Sequence, residues 1–392
     1  MDPFEKHGIE ILRLLDDRSL QIVLWGASGE DGLLNDTIAL AMLNEPEQLQ
    51  IRVLNNVNRV RRRSIEYILA EYTRFHESSA DKYPFLKEIK EVQEKILGLV
   101  RKYEERGYII LRQEKEVLIG DYKEEREKSG DREEMGEFYL TKASFKEIMK
   151  YWLPVCREVR RESPLVLDAI MDKIKDPFSR YLFEMTLDDC SAGQIVSEAE
   201  KKRRSVLYES GRRLEMMRIG IRGLGDGDNP YLLMKKLNSL FPDAPLTAEA
   251  FFEETSRQEP KPITDAMNDG EVIKNIVAYV CKARHEGILI LETYAEGSTP
   301  YWNQGLLMAV DGWMPLDADE VLKNKKKALM DELQIKMKMF EKICLGLKRG
   351  LNPRLIHMAL NSFLTEEYKF DDLFGAQEIV GGADAEHQRP LF

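Results

Sequence analysis

Apolar residues recur along this chain at intervals of three and four, the period of a helix with one buried face, while strand-type alternation is scarce. The blocks Ile9-Ile11-Leu12-Leu15, Ile38-Leu40-Met42-Leu43, Ile65-Ile68-Leu69 and Val92-Ile96-Leu99-Val100 are separated by short polar breaks such as Gly26-Ala27-Ser28-Gly29. They predict a compact bundle of short helices from Phe4 to about Leu111. From Arg112 to Phe145 the charge density rises and the apolar spacing turns irregular, which predicts a linker with a short hairpin around Tyr108 to Ile119. A second break runs from about Asp243 to Glu271, with Pro245, Pro260 and Pro262 among acidic residues. The acidic, glycine-containing tail after Thr365 is expected to be disordered in part.

Between these breaks the sequence is duplicated. At an offset of 123, Met185 matches Met308, Asp188 matches Asp311, Asn229-Pro230 matches Asn352-Pro353, and Leu237-Asn238-Ser239 matches Leu360-Asn361-Ser362. At an offset of 124, Arg160 matches Arg284, Glu162 matches Glu286 and Leu165 matches Leu289, so one single-residue gap reconciles the registers. Each copy has the same plan: a long helix bearing the arginine, a turn near Pro177 or Pro300, and a second helix ending near Asp188 or Asp311. A charged helix follows, then a break before Asn-Pro (Gly223 to Pro230, Gly346 to Pro353) and a final amphipathic helix. The expected division is 1–112 for an N-terminal helical domain, 113–145 and 244–271 for linkers, 146–243 and 272–365 for the repeats, and 366–392 for the tail. The fold class is all-α.

The 392 residues suffice for two or three domains, 43% apolar residues can fill their cores, and the net charge is −11. An acidic balance argues against a nucleic-acid partner, because phosphate binding needs a positive field. The sequence opens without a basic stretch leading into an apolar one, and no apolar run reaches the ~20 residues that span a bilayer, so a cytoplasmic protein without direct membrane insertion is expected. Cys156, Cys190, Cys281 and Cys344 are scattered, as buried reduced thiols would be.

No chemistry stands out. His7, His76, His285, His357 and His387 are isolated, without HExxH spacing or a triad partner. The glycine-rich run Gly220, Gly223, Gly225, Gly227-Asp228 follows a helix and lacks Gly-Lys-Ser/Thr, so it predicts an interhelical turn rather than a phosphate or calcium loop. The methionines from Met330 to Met339 suit helix packing better than a metal box. A catalytic site, a cofactor and a metal are not expected.

The segments Leu14-Leu15-Asp16-Asp17-Arg18-Ser19-Leu20-Gln21, Val53-Leu54-Asn55-Asn56-Val57 and Glu91-Val92-Gln93-Glu94-Lys95-Ile96-Leu97 resemble the C-terminal region of the flagellar rotor and switch protein FliG. That resemblance implies an armadillo-like, six-helix domain over the first ~110 residues. Arg284-His285-Glu286-Gly287, Val310-Asp311-Gly312, Asp176-Pro177-Phe178 and the Asn-Pro turns look like the cytoplasmic part of the stator protein MotA. The membrane helices of that family are absent from both copies, so the chain cannot itself conduct ions.

These resemblances imply contact residues. The rotor-like charged helix would run from Val57 to Tyr72 with Arg59, Arg61, Arg62 and Arg63 before Glu66 and Glu71. A solvated helix face with pairs such as Arg62–Glu66 accounts for the same run about as well. On the stator-like side an arginine and an acid eight residues later fall on Arg160 and Asp168, and on Arg284 and Glu292. Eight residues are a little over two turns, so each pair is expected on one helix face. The implied function is a non-enzymatic component at the cytoplasmic face of the flagellar basal body. It would dock on rotor, switch or stator proteins, or on itself, as scaffold, spacer or regulator of motility. A general helical adaptor of motor ancestry is the competing reading.

Overall fold

The computed structural model describes residues 3–26, 32–78, 83–109, 111, 136–161, 164–188, 190–253 and 258–373. The chain is all-α: the only β pairings among those residues are isolated bridges, Leu15 with Leu111 and Phe138 with Ile174. Two compact units emerge, one of residues 1–201 with 336–392, the other of residues 202–335.

Within the first unit the N-terminal region folds as α1 (Pro3–His7), a 3-10 stretch (Gly8–Leu14), α2 (Asp17–Trp25), α3 (Asn35–Met42), α4 (Glu47–Asn55), α5 (Arg59–Ser78) and α6 (Tyr83–Glu105). Side-chain caps set two of the starts. Asp16 accepts from Ser19 N at 2.6 Å, and Asn58 accepts from the backbone of Val60 and Arg61 at 3.0 Å each. The apolar periodicity closes on α3, which packs against α5 and α6. Ile11, Leu20, Ile38, Val100 and Tyr103 lie at the centre of a core whose buried members all fall between Phe4 and Ile109. Each such side chain contributes about 1.5–3 kcal/mol on burial, so this region carries a core of its own.

The two copies fold alike. In the first, α7 (Phe145–Arg161), α8 (Leu167–Met171), α9 (Pro177–Leu187), the long α10 (Ala192–Asp226) and α11 (Pro230–Asn238) follow in order. After the short α12 (Ala248–Glu253) the second copy gives α13 (Asp269–Glu286), a 3-10 stretch (Ile288–Tyr294), α14 (Pro300–Val310), the long α15 (Pro315–Lys348) and α16 (Pro353–Asn361). Asn229 and Asn352 each cap a final helix with proline in its first turn, accepting from Tyr231 N and Arg354 N at 2.9 and 2.8 Å. Gly227 and Gly350 precede them at φ +65° and +60°, where a side chain would be strained.

The compact units do not follow the expected boundaries at 146–243 and 272–365. The last helix of each copy packs on the first helix of the other: α16 on α7, and α11 on α13. Trp152 of the first copy meets both Phe183 of the same copy and Phe340, which lies on the far half of α15. In the second unit, Gly220 on α10 approaches Ile276 and Trp302 so closely that an added Cβ would sit 2.5 Å from Ile276. The long helices, of thirty-five and thirty-four residues, each begin in one unit and end in the other.

Two further expectations change. Gly220, Gly223 and Gly225 lie inside α10, and only Gly227-Asp228 forms the turn. The linker ends early, since Phe138 and Leu140 are buried and Leu140 N donates to Asp176 at 3.1 Å; the hairpin lies mostly outside the described residues. In the described start of the tail, Asn361 and His357 hold the Tyr368 carbonyl at 2.9 and 2.8 Å, and the tail beyond Leu373 lies outside the described residues.

Candidate protein interaction site

The start of the arginine run on α5 and the acids of the first copy meet inside the first unit. Because Asn58 caps α5, the N–H of Arg59 is a free donor at a helix N-terminus, where a carboxylate is favoured. It donates to both oxygens of Asp168 at 2.9 Å. The Arg59 guanidinium donates to the Asp168 carbonyl at 2.6 Å and to the Asp172 carboxylate at 3.0 Å. The Arg59 side chain is about half exposed, so its ion pairs are worth at most about 1 kcal/mol and set register more than they bind.

Beside this contact the end of α9 is fully engaged. Asn58 donates to the Leu187 carbonyl at 2.6 Å, satisfying a group that the helix leaves open. The Asp188 carboxylate accepts from Asn35 and, at 3.3 Å, from Ser64. Its carbonyl accepts from Lys348 at 2.7 Å, and that ammonium lies 5.4 Å from the centre of the Trp25 ring.

The remaining expected contact residues are placed otherwise. Arg61 is only 3% exposed and donates to Asn35 and to the carbonyls of Leu24 and Leu33, so it ties α5 to the segment before α3 and offers nothing to a partner. Arg62 pairs with Glu66 at 2.8 Å on an open face, Glu71 pairs with Arg74 at 2.7 Å, and Arg63 is exposed. Neither arginine–acid pair shares a helix. Arg160 is half-buried near the end of α7, and Pro164 opens a 3-10 turn before Asp168 on α8. Gly287, at φ +90°, ends α13 between Arg284 and Glu292. Arg284 turns to the carbonyls of Gly227 and Asp228 at 2.9 and 3.3 Å, and Glu292 is exposed on the 3-10 stretch.

Of the ten expected residues, Arg62 and Glu66 pair within α5, and Arg59 meets Asp168 across the N-terminal region and the first copy. The supporting groups of the latter contact, Asn35, Asn58, Ser64 and Asp172, were not singled out from sequence. Asn58 alone had a readable signal, an N-cap residue directly before the arginine run.

Burial pushes the thiols of Cys156 and Cys344 up, the latter to about 12, so both stay protonated and unreactive at neutral pH. In the second unit Glu215 accepts from Arg218 at 2.6 Å and from Lys326 at 2.8 Å, and Arg218 also reaches Asp319. The Arg218 bond first, and Lys326 after it, hold the Glu215 carboxyl down at about 2. Among the described residues no cluster of three or more His, Cys, Asp or Glu is placed to hold a metal ion, and no helix is long and apolar enough to cross a membrane. No protein-family model, curated protein or solved structure matches the chain.

Proposed function

We propose that this chain is a non-enzymatic docking protein of the bacterial flagellar motor, acting at its cytoplasmic face as scaffold, spacer or regulator. The observation that carries the reading is the Arg59–Asp168 contact. Those two residues were drawn from opposite sides of the rotor–stator interface by resemblance alone, and they touch within one chain. A solvated charge run has no reason to put its first arginine on that acid. On this reading the N-terminal domain rests on the first stator-like copy in the manner of a rotor on a stator, without ion conduction.

Affinity capture from motile cells at low and moderate salt tests this. Rotor, switch or stator proteins should be recovered with the full chain, and less of them as screening rises. Recovery of unrelated proteins only, or unchanged swimming and motor structure after deletion of the gene, would leave a general helical adaptor instead.

A further inference from the structure

The duplication presents one surface twice, covered in the first copy and bare in the second. In the first copy Leu165 lines a small cavity with Trp25, Val57 and Arg61 of the N-terminal domain, and Asp168 and Asp172 take Arg59. Cys190, Ser191, Ala192 and Gly193 line a cleft with Trp25, Leu33 and Leu34.

The counterparts in the second copy follow from the repeat offsets. Leu289, Glu292 and Glu296 stand 124 residues after Leu165, Asp168 and Asp172, and Trp313-Met314-Pro315-Leu316 stands 123 residues after Cys190 to Gly193. Both acids keep their charge and are exposed. Leu289 is 71% exposed, Trp313 47%, Met314 67% and Leu316 66%. Single exposed apolar residues are ordinary on a protein surface. Here four large ones fall at positions whose counterparts face a domain, and small residues have become large apolar ones.

We propose that this face of the second copy docks a separate domain of the same kind as residues 3–109, supplied by another protein molecule. The partner would present the N-terminus of an Asn-Arg helix to Glu292 and Glu296, with aliphatic and aromatic side chains over Leu289 and Trp313. The chain's own N-terminal domain is not that occupant, because its Asn58-Arg59 corner is already spent on the first copy. The inference rests on the docking reading above and names the surface and the partner.

The test adds residues 1–111, whose core is self-contained, as a separate polypeptide to the full-length chain at low salt, with sedimentation velocity and calorimetry as readouts. A one-to-one complex is expected, weakening several-fold between about 50 and 200 mM salt. Leu289→Asp in the full chain should lower the affinity about tenfold or more, and Glu292→Lys several-fold. Arg59→Glu in the added polypeptide should match the Glu292→Lys loss. Leu289 is exposed, so its variant should melt with the parent, and the melt checks that. The inference is overturned by the absence of a complex at about 0.1 mM, or by a complex that neither full-chain variant weakens. If the complex forms while cells yield no motor protein, the motor assignment falls and the surface stands.

Discussion

The two copies share their order of helices, the Asn-Pro cap of the last helix and the glycine before it, and differ in what reaches them. In the first copy the end of α9 is consumed: Asp188 binds Asn35, Ser64 and Lys348, and the Leu187 carbonyl takes Asn58. In the second copy the corresponding Asp311 is exposed, and beside it stand Trp313 and Met314. A duplicated scaffold thus keeps its internal geometry under one set of constraints while its outer faces diverge with their surroundings. Packing rules are shared between the copies, and occupancy is not.

Core substitutions should break the likeness most deeply. Trp152→Ala in the first unit or Trp302→Ala in the second, both fully buried, should each cost about 3–5 kcal/mol by chemical denaturation. A much smaller loss in either would mean that the two cores are not equivalent. Arg61→Ala should cost about 2–4 kcal/mol, since it strands buried acceptors on Asn35, Leu24 and Leu33, whereas Arg63→Ala should stay within about 0.5 kcal/mol.

Acid should act through Glu215. Its carboxyl sits at about 2 in the fold against an ordinary 4.5, so the folded state binds fewer protons than the unfolded chain between those values. The stabilisation is present above pH 4.5 and lost as pH falls towards 2. Glu215→Gln should flatten that limb of an acid titration by about 1–3 kcal/mol. The smallest effects separate the copies at their acids. Asp168→Asn should cost about 1 kcal/mol, while Glu292→Gln, with its side chain in solvent, should lie within about 0.5 kcal/mol in thermal melts.

Much of the helical plan was legible. Asp176-Pro177 and Asn229-Pro230 mark helix starts that the structure places there, because an acceptor side chain and a missing N–H suit the first turn and little else. The paired arginine and acid at eight-residue spacing misled, since periodicity assumes one helix and Gly287 and Pro164 interrupt it. Arg61 was unreadable within its run. Four arginines in five residues look alike until the cap at Asn58 fixes which way each turns. The exchange of α11 and α16 left no trace in the sequence for a related reason. The two helices carry the same Asn-Pro start and the same Leu-Asn-Ser ending, so either would suit either receiving helix.

That exchange bears on how the polypeptide is made. The first unit cannot be completed when its opening helices leave the ribosome, because α16, near the end of the chain, has yet to be translated. More than 150 residues separate α7 from the helix that covers it, so an apolar groove stays open for most of synthesis and closure awaits one late event. A nascent chain stalled before Pro353 should expose that groove and draw chaperones, and a gene trimmed to one copy should yield two unfinished halves rather than one working half.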